Sequence, residues 1–232
     1  MIALYAHNDR LGYAYRVDVS PAHSAGITFD GCPKDNQDLE FQKAADLVLQ
    51  VASRVIPPPE NLPGIRCTLS PIAGAPQVTP NTFLAGGSLY GPISLVVIQL
   101  WAQKLGPESK GQVRHQYCAE LEAIRSADLS KVAASAEGDS CGDFKPVGGI
   151  EPKRRCLIEL GLDVASFCVM AKGQMDDGTT TPDQFLRAHG SEISAIYAAD
   201  PVDALGEIYD RQRRAEKELF EQRCKALAGR IA

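Results

Sequence analysis

Two glycine-rich junctions carry the residues whose types and spacing could do chemistry. One is Gly148-Gly149-Ile150-Glu151-Pro152-Lys153, which puts a lysine in the first turn of a predicted helix. The other is Ala85-Gly86-Gly87-Ser88-Leu89-Tyr90-Gly91, which puts a serine in a glycine-rich loop ahead of an apolar segment. A serine hydroxyl is a poor nucleophile until a base takes its proton. A lysine amine is such a base only when neutral, so its ordinary pKa of ~10.4 must fall to roughly 7–8. Each pKa unit is worth about 1.4 kcal/mol, so the site must disfavour the ammonium by roughly 3–5 kcal/mol. A helix first turn helps, because the positive end of the macrodipole opposes a second positive charge. The neighbours Val147, Ile150 and Pro152 are apolar, which also disfavours the charged form. Taken singly, a serine between glycines is a turn, and a glycine pair before a helix is a tight connection.

The run from Val132 to Lys153 gives these junctions a wider context. It resembles the proteolytic domain of Lon proteases. In that family a strand reading roughly Thr-Gly-Glu is followed by a loop glycine, a proline, an aliphatic residue, a glycine pair and the catalytic lysine. Ser135 takes the threonine place, Glu137 the glutamate, Gly142 the loop glycine and Pro146-Val147 the apolar step. Lys153 takes the place of the lysine. The family's nucleophile sits in a Gly-x-Ser motif at a helix start, which Gly86-Gly87-Ser88 matches. Leu89-Tyr90 follow where the family has a small residue, and Gly91-Pro92-Ile93-Ser94 offers a second register with Ser94 as nucleophile.

The resemblance covers residues 10 to 172, best from 85 onward. It implies an α/β (α+β) chain with the Lon-like, ribosomal protein S5 domain 2-like fold over residues 1–175. It implies a Ser88–Lys153 dyad, with Ser135 aiming the amine, Glu137 in support, and Gly86 and Gly87 leaving backbone N–H groups for an oxyanion hole. The implied activity is that of a serine endopeptidase without metal or cofactor, cleaving a specific protein substrate. No Gly-x-x-x-x-Gly-Lys-Ser/Thr motif occurs, so ATP hydrolysis would come from a separate partner or not at all. Lon domains assemble as rings, which makes a homo-oligomer an expectation. The main departure is the stretch 107–130, much longer than the family's connection and polar enough to suggest a surface excursion. Two further readings stand beside this one. A catalytically inactive Lon-like domain would be a binding or scaffold module, and a small-molecule kinase of the same superfamily would use Leu84 to Gly91 as a phosphate loop.

The elements that must position these residues are legible in part. Leu11–Ser20 alternates like a strand, and Ala25–Phe29 is expected to pair with it. Leu39–Ser53 has helical periodicity, Gly64–Leu69 reads as a strand, and Leu95–Leu105 as a helix apolar on nearly all sides. A helix is predicted over Gln116–Ala127, strands over Lys131–Ala136, Asp143–Val147 and Val164–Met170, and a helix over Ile150–Leu160 capped by Gly161. Residues 176–232 read as a C-terminal helical extension. It opens with Thr181 capping one helix and closes with a long charged helix from Pro201. In that last helix Val202, Ala204, Leu205, Ile208 and Tyr209 form one apolar stripe, and Leu219, Phe220 and Leu227 follow. The stripe predicts packing on its own domain or on a second molecule.

Composition excludes several classes. The 232 residues are 44% hydrophobic and 23% charged with a net charge of −5, which gives no basic face for nucleic acid. No apolar run reaches the roughly 18 residues that span a bilayer. The N-terminus has no signal-peptide pattern. The seven cysteines are scattered without a C-x-x-C pair, as expected of reduced thiols in a cytoplasmic protein. The four histidines have no partner at metal-ligand spacing.

Overall fold

Seven strands form one sheet in the computed structural model, in the order β3-β4-β2-β1-β5-β8-β9. The structure describes residues 1–7, 11–31, 39–60, 62, 64–75, 87–105, 117–161, 163–175 and 181–228. β1 (Ile2–His7), β5 (Val132–Ser135), β8 (Phe167–Ala171) and β9 (Ser194–Ala198) are consecutive parallel neighbours. β2 (Leu11–Ala22) runs antiparallel to β1 and to β4 (Gly64–Pro71). β3 (Gly26–Asp30) runs parallel to β4. The architecture is therefore α/β with a mostly parallel sheet.

The period of two along each strand splits the core between the two faces of the sheet. Met1, Ala3, Val17, Ala134, Val169 and Ala171 face one layer. That layer holds α1 (Leu39–Val55), α2 (Tyr90–Lys104), α3 (Leu121–Ser126) and the first half of α6 (Pro201–Ala228). Ile2, Leu4, Ala14, Ala133, Cys168 and Met170 face the other, with α4 (Ile150–Leu160) and α5 (Pro182–Ala188). The apolar circumference of α2 has its reason here, since every residue from Tyr90 to Ile98 is buried. Pro92 sits in its first turn, where backbone N–H groups have no intrahelical acceptor. α4 ends at Gly161, whose φ of 74° only glycine adopts easily. Thr181 and Gln184 close a reciprocal capping box on α5.

Four features differ from the sequence expectations. The sequence pattern does not predict β1 or β9: both are short and mostly apolar, so neither shows the clean polar–apolar alternation of a half-buried strand. β3 pairs with β4 instead of β2, because α1 carries the chain across the sheet between two parallel strands. The later half of the 107–130 stretch is core: Leu121, Ile124, Ala127 and Leu129 are buried. Gln99 donates to the Ile124 and Ala127 carbonyls, and Arg125 donates to those of Ala102 and Leu105. Residues 106–116 lie outside the described residues. Finally, the segment read as a helical extension supplies β9 to the sheet, and Leu186, Ile193 and Ile196 to the core.

No helix among the described residues is long and apolar enough to cross a membrane.

Candidate functional site

Three segments lie toward the carboxyl ends of β1 and β5, the end of a parallel sheet where ligands bind in open α/β folds, with the Ser88 turn in the layer of α1 and α2 and the first turn of α4 on the opposite face. The first is the 3-10 turn Gly87–Leu89, which runs directly into α2 and carries Ser88. It packs on β1, α1 and the short strand β6 (Glu137–Gly138), which forms a hairpin with β7 (Phe144–Lys145). The contact is tight on both sides. A Cβ on Gly87 would lie 2.8 Å from Glu137 Cγ, and one on Gly91 would lie 2.9 Å from the Ala136 nitrogen. A Cβ on Gly138 would in turn strike the Tyr90 ring at 2.6 Å. The Gly91 N–H donates to the Ala136 carbonyl at 2.9 Å. Tyr90 Oη donates to the Gly142 carbonyl at 2.9 Å, and burial holds its hydroxyl well above the usual tyrosine pKa. The Ser88 turn is thus bound to the residues that follow Ser135.

The second segment is the end of β5. Ala134 and Ala136 point into the layer of α2, so Ser135 points the other way, with Ala133 and its strand neighbour Met170, toward α4. Its side chain is fully buried and its Oγ has no hydrogen-bond partner among the described residues. Leaving a buried hydroxyl unpaired costs about 1–3 kcal/mol, so such groups call for an explanation in function.

The third is the first turn of α4. Gly149 precedes it with φ 58° and ψ 35°, a left-handed conformation that a side chain would oppose by roughly 1–2 kcal/mol. Lys153 is only 3% exposed, and its Nζ donates to the Gly148 carbonyl at 3.0 Å. The turn is pressed onto β2: a Cβ on Gly12 would lie 2.0 Å from the Pro152 carbonyl oxygen. Gly12 pairs with Ala6 near the end of β1, so this turn sits at the same end of the sheet as Ser135. Next to Lys153, the fully buried Arg154 lays its guanidinium 4.3 Å from the centre of the Phe185 ring on α5. Burial lowers its pKa to about 10. Burial pushes the Cys168 thiol of β8, near Arg154 and Lys153, up to about 12.

Gln174 fixes the approach to α4. Its amide is buried, accepting from the Val147 N–H at 2.8 Å and donating to the Val147 carbonyl at 3.1 Å. Neither Gln174 nor Gly12 is marked by any local pattern, and both act through long-range contact. The structure places Gly87 and Glu137 together, and sets Ser135 and Lys153 on one face of the sheet. Gly86 lies outside the described residues, as does Leu84–Gly86 of the alternative phosphate loop. Ser94 is fully buried and donates its hydroxyl to the Gly91 carbonyl at 2.9 Å within α2. Among the described residues no group of three or more His, Cys, Asp or Glu side chains could hold a metal ion.

No model of a known protein family matches the chain, and comparison with curated proteins finds no relative.

Proposed function

We propose that this chain is a serine endopeptidase with a Ser88–Lys153 dyad, built on a Lon-like proteolytic fold of the ribosomal protein S5 domain 2 class. It works without ATP or is served by a separate ATPase partner, and it cleaves a specific protein substrate. Ser135 carries the reading: a fully buried hydroxyl, unpartnered among the described residues, on the face of the sheet that receives the first turn of α4. An oxygen there can accept from the Lys153 amine and turn its lone pair toward Ser88. Burial of Lys153 at a helix start is the second support, since both disfavour an ammonium.

In this mechanism Ser88 Oγ attacks the scissile carbonyl carbon and its proton passes to Lys153 Nζ. Backbone N–H groups of the Gly87–Leu89 turn, at a helix start, receive the oxyanion. Lys153 then gives the proton to the leaving amine; a water that passes its proton to the Lys153 amine attacks the acyl ester, the carbon–Oγ bond breaks, and Lys153 returns the proton to Ser88 Oγ.

A serine-reactive phosphonate probe tests the reading. The wild-type chain should be labelled at Ser88, and Ser88→Ala and Lys153→Ala should each abolish labelling and turnover. The double variant should be no worse than either single, because the two groups act as one unit. Labelling that persists in Ser88→Ala and disappears in Ser94→Ala moves the nucleophile to the second register. The buried position of Ser88, 6% exposed, favours the rival reading of a catalytically inactive Lon-like binding or scaffold module. A folded wild-type chain that takes no probe decides for that rival.

A further inference from the structure

The Ser88 turn also forms one wall of a cleft of about 290 Å³ that the dyad chemistry does not use. Ala44 and Leu47 of α1, the Tyr90 ring and the Glu137–Gly138 strand complete it. These walls are preformed. Tyr90 is held by its bond to the Gly142 carbonyl and by edge-on packing against Phe144, with ring centres 5.9 Å apart. Two charged side chains reach the cleft. Lys43 is exposed and has an interaction of its own with the rest of the chain. Glu137 is half-buried, its methylenes resting on Gly87, and its carboxylate makes no hydrogen bond or ion pair among the described residues.

On the peptidase reading above, we propose that this cleft is the subsite for a basic substrate residue, an arginine or lysine close to the scissile bond. Glu137 is its specificity-determining residue. The aliphatic stem of such a side chain lies along Leu47, Ala44 and Tyr90, while its cationic head meets the open carboxylate. An acidic residue is repelled there, and an apolar one leaves the carboxylate without a partner. Gly87 belongs to the same device, because any side chain at that position would displace Glu137 from the wall next to the nucleophile.

Binding and cleavage are read separately. Peptide pools randomised at every position but one, which holds arginine, leucine or glutamate, are titrated into the Ser88→Ala chain and followed by fluorescence anisotropy. The arginine pool should bind roughly tenfold more tightly than the leucine pool, as one charge-assisted contact provides. The isosteric Glu137→Gln change should erase that difference, and Glu137→Lys should turn the preference toward glutamate. Equal binding of the arginine and leucine pools, a preference that survives Glu137→Gln, or no binding of any pool overturns the subsite. If the arginine preference holds while the wild-type chain neither takes the serine probe nor cuts the pools, the peptidase reading fails and the subsite stands. If the chain cuts the pools without regard to charge, the reverse is true.

Discussion

Ser135 separates stability from activity more sharply than any other side chain in the site. Its hydroxyl is buried and makes no hydrogen bond among the described residues, so a methyl group should serve the fold as well. Ser135→Ala removes an unsatisfied polar group and should leave the melting temperature unchanged or raise it slightly. The same change should lower turnover about tenfold to a hundredfold if the hydroxyl aims the Lys153 amine, the range expected for loss of one positioning contact. Ser135→Thr, which keeps the oxygen, should restore most of the rate. A drop in stability with unchanged turnover would make Ser135 a packing residue. On the proposed dyad, a lysine base makes its own demand on pH. Only the neutral amine accepts the serine proton, so turnover should rise with pH through a single ionisation that Lys153→Ala abolishes along with activity. A rate that stays flat between roughly pH 6 and 9 would count against a lysine base.

At the scale of elements, local signals were enough for α4 and not for what it leans on. Ile150–Leu160 was legible to both ends because its stop signal, Gly161, is local. The glycine that receives its first turn, Gly12, and the amide that orients its entry, Gln174, lie far away in the chain and look like ordinary strand and turn residues. The consequence can be measured. Gly12→Ala puts a methyl group 2.0 Å from the Pro152 carbonyl and 2.8 Å from Cys156 Cβ, so α4 must move off the sheet. The expected loss is roughly 1–3 kcal/mol in denaturant unfolding, as for other overpacked sites. Lys153 is carried by that turn, so turnover should fall further than stability does. Gly148→Ala is the control, since a Cβ there meets nothing within 4 Å.

The β6–β7 hairpin responds to acid by a different route. Asp139 Oδ1 accepts from the N–H groups of Cys141, Gly142 and Asp143. Desolvation pushes its carboxyl pKa up, but these three donors and the Lys145 ammonium outweigh it and hold the group below the ordinary value. A carboxylate with a depressed folded pKa stabilises the fold above its unfolded pKa and loses that contribution as pH falls through the folded one. The stability gap between the wild-type chain and Asp139→Ala should therefore be full at neutral pH and shrink as the solution is acidified below pH ~4. A gap independent of pH would mean that Asp139 acts by shape alone.

Across the whole molecule, one helix does two different things. The first stripe of α6 covers its own sheet: Val202, Ala204, Leu205 and Ile208 are buried, and Gln212 exchanges two hydrogen bonds with the backbone of Asp128. From Arg213 onward every side chain through Leu227 is exposed, including Leu219 at 49%, Phe220 at 68% and Leu227 at 59%. The sequence shows one continuous amphipathic pattern, because periodicity reports that an apolar stripe exists and not what it meets. Three intrahelical ion pairs, Arg211–Glu207, Arg214–Glu207 and Arg213–Glu216, support the junction between the two halves. Each is worth only about 0.2–0.5 kcal/mol, so the outer half adds little to the stability of the domain. Ending the chain after Arg214 should leave its melting temperature within a few degrees of the full chain and its probe labelling intact. Ending it after Asp200 strips Leu205 and Ile208 from the core, each worth roughly 2–5 kcal/mol when lost. Together they take about 4–10 kcal/mol from the 5–15 kcal/mol of a typical domain, and Val202 and Ala204 are lost with them, so the shorter chain should be unfolded by circular dichroism. A folded chain ending at Asp200 would show that α6 is an appendage on a domain complete without it, and a large loss on ending at Arg214 would show that the outer half is held against the body after all.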